Sequence, residues 1–109
     1  MTFKQFKKDY YIDEIIFKGL AIKDNILKLN FDFCEWQLEE LQEAGKTAKG
    51  AMFFIKLKTK FDQSEFKKLV DEWLINIIEK DNQLIFVFDL KNDCQVVEIP
   101  FTSYEIELI

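Results

Sequence analysis

The sequence predicts an α+β fold. It calls for a mostly antiparallel sheet of five or six strands, with one long amphipathic helix on a face and shorter helices at the N-terminus and near residues 35-44. Three observations lead there. Phe66, Leu69, Val70, Trp73, Leu74, Ile77 and Ile78 recur at helical spacing, with Lys67, Lys68, Asp71, Glu72, Asn76 and Glu79 on the opposite side. Several other runs alternate apolar and polar residues, as half-buried strands do. Short turn signals separate those runs.

The elements follow in order. Thr2 and Gln5 have capping-box spacing, and Phe3, Phe6 and Tyr10 follow on one helical face. Residues Ile12 to Ile22 are β-branched and aromatic, and Lys23-Asp24-Asn25 is turn chemistry. Leu27, Leu29, Phe31 and Phe33 alternate with Lys28, Asn30 and Asp32, so the two runs read as a β-hairpin. Glu35 to Ala44 is rich in helix formers and ends at Gly45, a C-cap residue. Phe53, Ile55 and Leu57 alternate with Phe54, Lys56, Lys58 and Lys60 in a strand with one mostly cationic face. Asp62 and Glu65 form a second capping-box pair at the start of the long helix, in which only Ile75 is a misfit.

Leu84 to Leu90 is apolar on both faces, which marks a strand that is central or covered on both sides. Val97, Ile99 and Phe101 continue as a strand in which Pro100 implies an edge or a bulge. Tyr104, Ile106 and Leu108 alternate to the end. Lys23-Asp24-Asn25-x-Leu27-x-x-x-Phe31-Asp32 matches Lys80-Asp81-Asn82-x-Leu84-x-x-x-Phe88-Asp89. Either a unit is duplicated or two turn-and-strand segments draw on the same few residue types. The second is favoured, because the run before the first turn has strand period and the run before the second has helical period.

Composition narrows the function classes. The 109 residues make one domain, 1-109, with 49% hydrophobic residues and twelve Phe, enough for a real core. There is no His, and all 15 basic residues are Lys. The usual general base near neutral pH and the bidentate guanidinium clamp are both missing. Ser64 and Ser103 therefore have no His to activate them, and no phosphate loop, dinucleotide fingerprint or calcium-loop spacing occurs. No catalytic residue is assigned, and the chain is expected not to be an enzyme. A net charge of −5 argues against direct nucleic-acid binding. Cys34 and Cys94 read as buried small hydrophobes and supply at most half of a zinc site, so no metal or cofactor is expected. The charged N-terminus is unlike a signal peptide, and no run approaches a membrane span, so cytoplasmic residence is expected.

What remains is surface. Glu35, Glu39 and Glu43 are four apart with Glu40 beside them, and no Lys occurs between Lys28 and Lys46. The plain interpretation is a solvated helix face. The sharper one is an acidic docking surface for a basic protein, with Trp36 as anchor, because like charges at this spacing are mildly destabilising until a cation relieves them. Lys56, Lys58 and Lys60 form the opposite pole. That row either guards an edge or meets the acidic helix of a second copy. Trp73 is expected in the core, while Phe54 and Met52 fall on the polar parity of their strand.

Phe31-Asp32-Phe33-Cys34-Glu35-Trp36 after a hairpin, Glu98-Ile99-Pro100-Phe101 near the end, and the general layout resemble small bacterial immunity proteins of polymorphic toxin systems. The resemblance covers about half the chain. It implies an acidic inhibitor that blocks the active site of a toxin or effector nuclease. Those families vary most at the binding surface, so it assigns no binding residue. The lack of Arg and the heavy use of Lys, Ile, Asn and Phe point to an AT-rich bacterial or phage genome. Two further functions stay open: a structural or assembly protein forming a homodimer through its sheet, and a phage inhibitor that mimics nucleic-acid charge.

Overall fold

Six strands close into an antiparallel barrel, which replaces the predicted sheet-and-helix arrangement. A computed structural model describes residues 1–10 and 15–109, so residues 11–14, where the first strand was expected to begin, lie outside the described residues. The elements are α1 (Phe3–Tyr10), β1 (Ile15–Lys23), β2 (Ile26–Phe33), α2 (Glu35–Glu43), β3 (Gly50–Leu57), α3 (Ser64–Lys67), β4 (Trp73–Lys80), β5 (Gln83–Leu90) and β6 (Asp93–Leu108). Around the barrel they run β1-β2-β3-β6-β5-β4, and every neighbouring pair is antiparallel. β6 serves twice: its first half pairs with β5 and its second half with β3. A register shift opposite Lys56–Leu57 separates the two halves and moves the inward set from Val97, Ile99 and Phe101 to Tyr104, Ile106 and Leu108. Pro100 ends the half that pairs with β5 and lies two residues before Thr102, the extra residue at the bulge. The barrel closes where Ile15 and Ile16 pair with Leu74 and Trp73.

The long helix over Phe66–Ile78 is absent, so the fold is an all-antiparallel barrel with short helices and the α+β class is corrected. Asp62 Oδ1 does accept the Ser64 N–H at 3.0 Å, and a helix does begin there. It ends after four residues, and Asp71 adopts a positive φ of 72° that no α-helix contains. The helical spacing beyond it has another cause. Leu74 and Ile77 are three apart yet both point into the barrel, because a β-bulge between Leu74 and Asn76 inserts one extra residue. Ile75, the misfit of the helical pattern, is that residue. Three β-branched isoleucines among six residues suit the strand better than the helix.

The barrel interior is solid. Phe17, Phe31, Phe53, Phe86 and Phe88 are fully buried inside it, and the helices plug it with more aromatics. Phe3 of α1 stacks on Tyr104 with ring centres 4.4 Å apart and meets Phe53 edge-on at 4.9 Å. Phe66 of α3 meets Phe17, Phe86 and Phe88 at 5.6, 5.8 and 6.0 Å. Each fully buried ring contributes about 1.5–3 kcal/mol of transfer free energy. No buried side-chain polar atom among the described residues lacks a hydrogen-bond partner.

Two three-stranded units build the barrel. Asp24 and Asn25 have φ of 51° and 64°, and Asp81 and Asn82 have 51° and 62°. Both pairs form the same two-residue hairpin turn, which Asn and Asp tolerate. Each turn follows a bulged strand, with the bulge between Phe17 and Gly19 in one and between Leu74 and Asn76 in the other. The same offset along the chain relates the two bulges and the two turns. The seam joins Ile16 to Trp73, each the second residue of the equivalent stretch before its bulge. The period difference that had argued against a repeated unit disappears, since both preceding segments are strands.

The units differ in one connection. Between β5 and β6 the second uses only Lys91-Asn92, whereas between β2 and β3 the first inserts α2.

Candidate functional site

The connection between β2 and β3 positions the acidic residues. Cys34 takes the N-cap position with extended backbone, and its N–H donates to Gln37 Oε1 at 3.1 Å. Gln37 Nε2 donates in turn to the Tyr10 carbonyl at 3.2 Å. Gln37 is the one buried polar residue described, and it ties α2 to the end of α1. Leu41 is buried on the same side. At the far end Gly45 has φ 79°, and the Lys46 N–H donates to the Leu41 carbonyl at 2.8 Å, a glycine-closed helix terminus.

This anchoring turns the opposite face outward. Glu35, Glu39, Glu40 and Glu43 are exposed, and Trp36 is 38% exposed beside them. No ion pair reaches these carboxylates among the described residues, where Lys18–Asp71 is the only salt bridge. Lys46, the nearest lysine in sequence, directs its ammonium to the Asp9 carbonyl at 2.8 Å and over the Tyr10 ring at 4.6 Å. The helix has no basic residue in its last turn, so Glu43 sits where the helix dipole is negative. All five residues expected at the docking surface are thus gathered on one exposed helix.

Other expectations fare differently. β3 ends at Leu57, so Lys58 and Lys60 lie beyond it and the cationic row is not one strand face. Lys56 is at the end of β3 away from α2. Phe54 is half-buried, with Lys28 Nζ 6.0 Å from its ring centre. Trp73, expected in the core, is 37% exposed on the barrel's outside, because Leu74 takes the inward position at the seam. Cys34 is buried as expected but Cys94 is exposed. The signal for both corrections is parity: strand alternation places Leu74 and Gln95 inward once the helix reading is dropped.

The surface also carries an ordered polar network around Tyr104. Tyr104 donates its hydroxyl to Glu79 Oε1 and accepts the Phe3 N–H at 3.1 Å. Burial, and then the hydrogen bond to Glu79, push its phenol up to about 12. This network holds α1 against the barrel. No group of three or more Cys, Asp or Glu able to hold a metal occurs among the described residues, and no helix is long and apolar enough to cross a membrane. In comparisons with known proteins, the chain matches no family model, no curated protein and no solved structure.

Proposed function

We propose that this chain is a small acidic protein-binding module that inhibits or neutralises a basic protein partner. An immunity protein acting in the cytoplasm against a toxin is the most concrete form. The acidic face of α2 is its contact surface, with Trp36 as the apolar anchor and Glu35, Glu39, Glu40 and Glu43 as the charged rim. One observation carries the reading. The second unit makes the same strand connection with two residues, so the connection itself needs no helix, yet α2 holds a solvent-facing Trp among carboxylates that have no counter-ion among the described residues. Such a helix is electrostatically uphill when free and is relieved by a cationic surface.

The test uses the product of the adjacent gene as partner. Glu39→Lys, Glu40→Lys and Glu43→Lys together are expected to weaken its binding by about ten- to a hundredfold and to flatten the salt dependence. Affinity and salt slope that both stay at wild-type values refute the reading.

A further inference from the structure

α2 is nine residues long, too short to keep a direction by itself. The connection that carries it is closed at its base, where the Phe33 N–H donates to the Lys49 carbonyl at 3.0 Å. Within the helix only Gln37 and Leu41 are buried. Leu41 contributes apolar packing, which has no preferred direction. Gln37 contributes two directed bonds. Its Oε1 accepts the Cys34 N–H at 3.1 Å and its Nε2 donates to the Tyr10 carbonyl at 3.2 Å. One amide thus joins the first turn of α2 to the last turn of α1.

Lys46, just beyond the other end of α2, reaches the same place. Its Nζ donates to the Asp9 carbonyl at 2.8 Å and lies 4.6 Å from the centre of the Tyr10 ring. Asp9 and Tyr10 close α1. The last carbonyls of a helix have no partner within it and carry the negative end of its dipole, so an amide donor and an ammonium both suit them. α1 is itself firmly seated. Tyr10 stacks on Phe6 and Phe33 with ring centres 5.4 and 5.8 Å apart, and at the other end the Phe3 N–H donates to the Tyr104 hydroxyl.

We propose that Gln37 and Lys46 are positioning residues, which set the direction of the acidic face by gripping the C-terminal turn of α1. An apolar side chain at position 37 would bury as much surface and still let α2 turn slightly about its axis. A buried amide bonded at both ends permits one orientation, because each bond weakens steeply off line. Trp36, Glu39 and Glu40 stand at fixed angles from Gln37 on the same helix, so the grip aims all three. α1 is then a brace for a surface to which it contributes no side chain. The consequence for partner binding rests on the role proposed for α2, whereas the grip itself does not.

Time-resolved fluorescence anisotropy of Trp36 tests it, in the full chain carrying Trp73→Phe so that one indole reports. In that background Trp36 is expected to turn only with the whole molecule. Gln37→Ala is expected to add a local motion on the nanosecond scale. Gln37→Glu supplies a signature that loss of packing does not. A carboxylate still accepts the Cys34 N–H but cannot donate to the Tyr10 carbonyl, and a carboxylic acid can do both. Burial raises such an acid towards neutrality, and the chain has no His to titrate there. The Gln37→Glu protein is therefore expected to show the local motion at about pH 8 and to lose it at about pH 5.5, with the background protein alike at both. Should substitution at position 37 prevent folding, Lys46→Met keeps the apolar stem, removes the ammonium and reads the same grip. A Trp36 that stays rigid in these variants overturns the proposal, as does a Gln37→Glu motion that is the same at both pH values. A loosened Trp36 with unchanged affinity for the product of the adjacent gene supports the grip and counts instead against the role proposed for α2.

Discussion

Asp71 separates the barrel from the helical alternative by the sign of a stability difference. Its φ of 72° lies in the left-handed region, at the turn between α3 and β4. An Ala there carries a Cβ that crowds the following carbonyl oxygen, which costs about 1–2 kcal/mol relative to Gly. In the interior of an amphipathic helix the order reverses, and Gly costs about 1 kcal/mol relative to Ala. The Lys18–Asp71 ion pair, 2.6 Å long between exposed groups, is lost in both variants and cancels from their difference. Asp71→Gly is therefore expected to be more stable than Asp71→Ala by about 1–2 kcal/mol, or about 4–16 °C in Tm. Urea and thermal unfolding of the two variants, in one buffer, make the measurement. If the Ala variant is the more stable, the left-handed turn at Asp71 between α3 and β4 is refuted.

Two further predictions concern single contacts. A Cβ on Gly50 collides with the Phe31 carbonyl oxygen on the adjacent strand, while one on Gly19 meets nothing within 4 Å. Gly50→Ala is thus expected to cost about 1–3 kcal/mol and Gly19→Ala almost nothing, as read by urea midpoints. Tyr104 is held neutral in the fold, with its phenol raised to about 12 from an unfolded value of 10. The stability it contributes is complete below pH 10 and is lost as the pH rises towards 12. Ultraviolet titration should show one phenol ionising late in the native protein, and Tyr104→Phe should remove that late step. A late step that persists in the variant refutes the assignment.

Strands with strict alternation, such as Leu27–Phe33 and Phe53–Leu57, were readable because period two has no competing explanation there. The Asp-Asn turns were readable because few residues tolerate positive φ. After Phe66 a bulge shifts parity by one residue, and two inward residues three apart then imitate a helix. The acidic face of α2 was readable as a stripe of glutamates at i, i+4 spacing. The aliphatic outer face of β5 was visible as a two-faced apolar strand, but not which face the fold would leave uncovered.

Composition and local pattern alone set the wealth of Phe, the turn positions, the helix over Glu35 to Ala44 and the absence of His or Arg chemistry, since each is read from residue content or from residues near one another in the chain. Closure of the barrel at Ile16 and Trp73, the double use of β6, the equivalence of the two units and the outward turn of Trp73 came only with the tertiary structure. Those outcomes depend on which distant strand each backbone edge meets. Edge pairing is made by amide and carbonyl groups that are the same in every residue but proline, so the amino-acid order encodes it mainly through the packing of the whole.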